Sequence, residues 1–194
     1  MAVLNEEQSM LRDMAREWAR NEMPVNAFRK VRDTGSPLGF DPAAFAAQAE
    51  MGWTGIVIPE AYGGSDFGYL SLGLVLEETG RTLTASPLGT SALTAASAIV
   101  LGGSKAQKQA WLPGIASGEI IAALAVDEGP RHDPSRIKAQ AVGSASGWTL
   151  TGSKAFVAEG DGANLLVVAA RDGDDVGLFL VPADAAGVTR APRN

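Results

Sequence analysis

The sequence predicts an α+β chain: an N-terminal all-α helical bundle followed by a small antiparallel β-barrel or sandwich. Three observations carry this. Helix caps and helical apolar spacing dominate the first two-thirds. After Gly118 the chain breaks into short β-rich runs separated by Gly, Asp, Asn and Ser. No helical pattern lies between those runs, which argues against a parallel βαβ sheet. The boundary falls at about Ser117, giving units 1–117 and 118–194.

The elements follow in order. Asn5 reads as an N-cap, with Glu6 and Glu7 at the positive helix end and Gln8 completing a capping box. Leu11, Met14, Ala15, Trp18 and Ala19 then form one apolar face, and Pro24 ends the segment. Asp41-Pro42 is a cap with proline at the first helical position, and Gly52 stops that helix. The stretch Met51-Gly-Trp-Thr-Gly-Ile-Val-Ile-Pro-Glu-Ala-Tyr-Gly-Gly64 passes through a short extended segment and a glycine turn. Leu70 to Thr79 is apolar nearly all round and is expected at the centre. Ser86-Pro87 opens another apolar helix, which Gly102-Gly103 ends; Ser104 with Gln107 caps the next, which Pro113 closes. Trp18, Trp53 and Trp111 fit helical apolar faces and are read as structural. The β-rich runs are Ile120 to Val126, Ile137 to Val142, Trp148 to Thr151, Ala155 to Val157, Leu165 to Ala169 and Val176 to Val181.

Composition narrows the function. An apolar share of 46% supports a packed core. The net charge of −6 argues against nucleic acid as a partner. Without cysteine, and with His132 as the only histidine, thiolate chemistry, a disulfide and a metal centre are not expected. No leader and no bilayer-length apolar run is visible, so a soluble cytoplasmic protein without membrane contact is expected. A single histidine gives no Ser/His/Asp spacing, and the glycine pairs do not match a phosphate loop. The acid pairs Glu77-Glu78, Asp127-Glu128 and Asp174-Asp175 project in different directions and read as solvated surface or helix ends.

The Met51 to Gly64 stretch and the apolar run after it resemble the N-terminal helical domain of the acyl-CoA dehydrogenase family. The resemblance continues into that family's middle β domain. The family segment Thr-Glu-Pro-x-Ala-Gly-Ser-Asp reads here Val126-Asp127-Glu128-Gly129-Pro130-Arg131-His132-Asp133, with Val126 for the Thr and His132 for the Ser. The family pattern Gly-x-Lys-x-(Trp/Phe)-Ile-(Thr/Ser)-Asn-Gly reads Gly152-Ser153-Lys154-Ala155-Phe156-Val157-Ala158-Glu159-Gly160. Ala158 stands for a hydroxyl residue and Glu159 for the Asn.

The resemblance implies an FAD-dependent desaturation of an acyl-CoA thioester. It places Val126, Phe156, Val157 and Ala158 at the flavin, with the amides of Val126 and Val157 as donors. His132 and Asp133 fall on the acyl-CoA side, where Arg131 and Arg136 also stand available to a pyrophosphate. Phe156 fits either the core or the flavin face. Lys154 is expected to bond locally.

The family's base and C-terminal helical domain fall beyond residue 194, so no catalytic residue is assigned and the isolated chain is expected to be inactive. Lost hydroxyls at both flavin-facing loops suggest a degenerate subunit, with FAD binding in question. Its setting would be a homo- or hetero-oligomer, such as an α2β2 assembly with a better-equipped sibling. Two alternatives stay open: a non-catalytic scaffold subunit of such an assembly, and a flavin monooxygenase of related fold. Fatty, branched and steroid side-chain acyl groups are all compatible.

Overall fold

A computed structural model describes residues 3–145 and 147–191. The expected C-terminal boundary at Asn194 lies outside the described residues.

Helix α1 (Glu6–Glu22) starts at the expected capping box: the Gln8 amide donates to Asn5 Oδ1 at 2.7 Å and the Asn5 amide to Gln8 Oε1 at 3.2 Å. Its buried stripe is Leu11, Ala15 and Ala19. A second helix, α2 (Val25–Asp33), follows at once, and sequence reading missed it. Pro24 ends one helix and serves as N-cap residue of the next, without a side-chain cap, and none of the α2 residues is fully buried. Neither of the usual signals was therefore present.

Helix α3 (Pro42–Glu50) carries the expected cap, Asp41 Oδ1 accepting from the Ala43 amide at 2.9 Å. The segment after it is not extended. Two 3₁₀ turns, Trp53–Gly55 and Glu60–Tyr62, fold it into a knot whose residues Trp53 and Ile58 are fully buried. Trp18 meets Trp53 edge-on, with centroids 5.2 Å apart. An apolar run in a compact turn reads like a strand when the pairing partner is unknown.

Helix α4 (Gly68–Arg81) packs along α1 and joins it in a core of Leu11, Ala15, Trp53, Leu72, Val75 and Leu88. A π-helical stretch, Gly89–Ala95, leads into α5 (Ala96–Gly102). Helix α6 (Lys105–Ala116) has the expected Ser104/Gln107 box, but it runs through Pro113 instead of closing there. Proline removes one helical amide bond. Beyond it, the buried Ile115 and Ala116 anchor the last turn, and the Ser117 amide donates to Pro113 O at 2.9 Å.

Thr54 ties the knot to that helix end, its hydroxyl donating to Ala116 O at 2.7 Å in a buried setting. Thr54→Val keeps the shape and orphans the carbonyl. It should cost about 1–2 kcal/mol, measured as a lower denaturation midpoint with an unchanged m-value; an unchanged midpoint would show the bond to be dispensable.

Five strands form one sheet: β1 (Ala122–Ala125), β2 (Gln140–Ser144), β3 (Gly147–Thr151), β4 (Leu165–Asp172) and β5 (Asp175–Pro182). The expected run at Ala155 to Val157 forms no strand, because Phe156 takes a left-handed φ of 54°. β2–β3 and β4–β5 are antiparallel hairpins, whereas β1–β4 and β2–β4 are parallel. The order of a helical front and a β module is as expected, with the sheet mixed and not wholly antiparallel. The connection 126–164 carries the β2–β3 hairpin and is long enough to bring β4 back parallel to β1 without a helix.

The two modules share a core. Ile58, Ile99, Leu112 and Ile115 from the helical side pack with Ala122, Leu165 and Val167 from the sheet. Among the described residues no helix is long and apolar enough to cross a membrane.

Candidate functional site

The site begins with the register of β1. The Leu165 amide donates to Ile121 O at 3.2 Å, and Ala122 lies opposite Leu165 in a parallel pair. Alternation then directs the backbone groups of Ile121, Ala123 and Ala125 to β4, and those of Ala122, Leu124 and Val126 to the other side. That side is a free sheet edge. Ser91, from the π-helical stretch, covers its start: Ser91 Oγ accepts from the Ala122 amide at 3.0 Å. Lys154 covers its far end, Nζ donating to Val126 O at 3.0 Å. The same alternation directs the amides of Leu124 and Val126 at the edge, away from β4.

The second segment lies beside the first, since the Ala155 amide donates to Asp127 O at 2.7 Å. Just before it, Gly152 passes close to the entry of β2, where a Cβ would stand 2.6 Å from Ala139 Cβ and 2.8 Å from Ala139 Cα. The backbone then turns through two left-handed residues, Phe156 (φ 54°) and Glu159 (φ 55°). Phe156 is 69% exposed, which excludes the core role left open above. Val157 is half-buried and Ala158 exposed. Burial pushes the half-buried Glu159 carboxyl up from its ordinary value. Arg190 secures the following turn, Nη1 donating to Gly160 O, Asp161 O and Ala163 O at 3.3, 2.7 and 3.0 Å.

Two expectations about single residues change. Lys154 does not bond locally. Its ammonium reaches 28 positions back to Val126 O and 26 back to Glu128 Oε1, the latter at 2.7 Å. Nor is Glu128 solvated surface: its side chain is 17% exposed, that of Lys154 8%. Burial pushes the Glu128 carboxyl up, but Lys154 and the amides of Ala139 and Lys138 together bring it below the ordinary range. Glu78 departs from the same expectation and sits 2% exposed against Arg16. Only the distant partners distinguish these acids from their solvated neighbours, and local sequence does not encode those partners.

His132 is exposed, its Nδ1 2.9 Å from Asp127 Oδ1. The Asp133 carboxylate caps a 3₁₀ turn (Pro134–Arg136), accepting from the Ser135 amide at 3.2 Å and the Ser135 hydroxyl at 2.5 Å, with Arg136 Nε 3.3 Å from its other oxygen. Val126 is half-buried and packs against the cluster of Ile137, Ala139, Ala141, Ala169 and Ala170. The six candidate residues therefore lie on two adjoining segments at one end of β1. A hollow of about 820 Å³ lies elsewhere, between β3 and β5, where Trp148 and Phe179 meet edge-on at 5.1 Å.

A family model, Acyl-CoA dehydrogenase, N-terminal domain, matches residues 5–119. The chain belongs to the acyl-CoA dehydrogenase family. It is 33% identical over 171 residues to (2S)-methylsuccinyl-CoA dehydrogenase of Cereibacter sphaeroides, covering 87% of this chain and 30% of that protein. Among solved structures, an acyl-CoA dehydrogenase from Bacillus anthracis complexed with FAD matches 98% of this chain and 33% of its own, at TM-score 0.85 and 26% identity. The ChsE4-ChsE5 complex from Mycobacterium tuberculosis matches at TM-score 0.85 and 27% identity, over 96% of this chain and 50% of its counterpart. The chain spans half or less of the curated relatives it matches.

The site suits the FAD of the Bacillus anthracis complex. An isoalloxazine presents ring oxygens and nitrogens along one edge and a flat apolar face. The open edge of β1 offers two amide donors directed away from β4, and Phe156 offers an exposed aromatic surface near them. Backbone donors survive the exchange of Thr for Val126, since they do not depend on the side chain.

Proposed function

We propose that this chain forms the flavin-facing wall of an FAD-dependent acyl-CoA dehydrogenase that desaturates an acyl-CoA thioester between its α and β carbons. The observation that carries this reading is the pair of edge-directed amides, Leu124 and Val126, beside the exposed Phe156. Bound FAD supplies a hydride acceptor. The chain's own residues bind and orient: the amides of Val126 and Val157 donate to the ring edge, and Phe156 covers a face. Ala158 leaves unfilled the place of a hydroxyl. His132 and Asp133, with Arg131, stand on the acyl-CoA side.

No carboxylate of this site is assigned as the base; Glu159 stands where the family has Asn, and the others are engaged. Glu128 is held by Lys154, Asp127 lies against His132, and Asp133 caps its turn. Proton abstraction is assigned to a residue outside these 194, so the chain alone does not turn over. A cytoplasmic heteromeric assembly with a sibling subunit, α2β2 in form, goes with this reading; a similar fold occurs in the ChsE4-ChsE5 complex. The missing hydroxyls at Val126 and Ala158 favour one second reading, a non-catalytic partner that stabilises such a sibling.

Titration of the chain with FAD, followed by flavin fluorescence and visible absorption, decides between them. The parent should bind weakly. Restoring hydroxyls with Val126→Thr and Ala158→Thr adds two hydrogen bonds at about 1 kcal/mol each, or roughly thirtyfold tighter binding. If neither protein perturbs the flavin spectrum, the dehydrogenase reading is lost and the scaffold reading stands. Reduction of bound flavin by an acyl-CoA in the chain alone would contradict the assignment of the base.

A further inference from the structure

Lys154 and Glu128 join more of the molecule than either joins to its own neighbours. Lys154 Nζ donates to Val126 O and to Glu128 Oε1. Glu128 in turn accepts from the Lys138 amide at 2.8 Å through Oε2 and from the Ala139 amide at 2.9 Å through Oε1. One largely buried ion pair thus touches the end of β1, the segment 126–133, the entry to β2 and the segment 152–160. Beside it only the Ala155–Asp127 backbone bond at 2.7 Å runs between the two candidate segments among the described residues.

The pair also sets the polarity of the open edge. Of the backbone groups that Val126 directs there, the carbonyl is consumed by the ammonium and the amide alone still faces the edge. An edge that would offer donors and acceptors in alternation therefore offers donors at this position.

We infer that Lys154 and Glu128 are positioning residues: one latch that holds both candidate segments together and leaves Val126, at the end of β1, with only its amide donor facing the edge, where a planar ligand can present an acceptor. The latch is a property of the chain itself. Only the ligand part rests on the flavin reading above.

The arrangement predicts which substitutions act together. Lys154→Met strands the Glu128 carboxylate in a poorly solvated place and is expected to lower the melting temperature. The double variant Lys154→Met/Glu128→Gln removes both charges and should recover most of that loss. Lys154→Arg keeps charge and donors and should behave as the parent does.

Two readouts follow from the double variant. Amide hydrogen exchange, with no flavin present, should speed up at least tenfold in 126–133 and in 152–160 alike, while the helical module keeps its protection. Exchange that rises in one segment only, or in neither, overturns the latch. FAD affinity should fall at least tenfold in the double variant and return with Lys154→Arg; unchanged affinity overturns the donor-edge part. A parent chain that binds no FAD counts against the flavin reading, and against the ligand part with it, while the exchange result still judges the latch.

Discussion

Alanine at position 64 should leave a chain that barely folds. A Cβ on Gly64 would stand 2.0 Å from Ile58 O and 2.5 Å from Gly55 O, well inside any real contact. Neither oxygen can step aside. Gly55 O accepts from the Ser65 amide and Ile58 O from the Asp66 amide, both at 3.0 Å, and the Phe67 amide adds a bond to Ile56 O at 2.8 Å. Those bonds close the knot 52–67 over Trp53 and Ile58, two of the most deeply buried side chains.

Overpacking against fixed backbone belongs to the severe class of substitutions, about 4 kcal/mol or more. That is a large share of the roughly 5–15 kcal/mol by which domains are stable, and it lowers the melting temperature by about 8–16 °C in a chain of this size. Gly63→Ala is the control. Its φ of 85° strains any other residue, but nothing lies within 4 Å of a Cβ there, so the cost is about 1–2 kcal/mol. Thermal unfolding followed by circular dichroism compares the two; equal melting temperatures would mean that the close approach of Gly55 and Gly64 does not matter.

Sequence reading found what is written locally. The caps at Asn5, Asp41 and Ser104 and the glycine stops at Gly52 and Gly103 are signals within a few residues, and the structure shows each. It missed α2, which offers neither a side-chain cap nor a buried stripe. It placed five strands and a sixth, at Ala155 to Val157, that does not form, and it did not give their partners, because a β-rich run reads the same in parallel and antiparallel pairs. The candidate site divides along the same line. The family resemblance points to Val126 and Phe156 by position. The feature that makes them a surface for a ligand is the register of β1 on β4, which turns Leu124 and Val126 outward. Register is a tertiary fact. So are the partners of Lys154 and Glu128, 26 positions apart, and local patterning could only assign those residues to turns and solvent.

The same blindness hid the ion pair with the next-largest expected effect. Glu78 sits on α4 with its side chain 2% exposed, and Arg16 on α1, 62 positions away, meets it with two donors, Nε at 3.1 Å and Nη2 at 2.8 Å. Arg81 Nε stands farther off, 3.4 Å from Oε2. Arg16→Ala would leave a buried carboxylate with only that distant partner and should lower the denaturation midpoint. Replacing both partners with apolar residues, Arg16→Met with Glu78→Leu, removes the stranded charge and should stay within about 1 kcal/mol of the parent. A double-mutant cycle on denaturation midpoints measures the coupling.

The pH dependence carries its own sign. The hydrogen bonds and charge of Arg16 outweigh burial and hold the Glu78 carboxyl below its ordinary value of 4.5. The unfolded chain therefore takes up the proton first. The stabilisation is complete above 4.5 and is lost as the pH falls through the depressed folded value. Glu78→Gln cannot titrate. The stability gap between it and the parent should be widest near neutrality and close in acid; a gap that stays constant across that range would show that Arg16 does not hold the carboxylate.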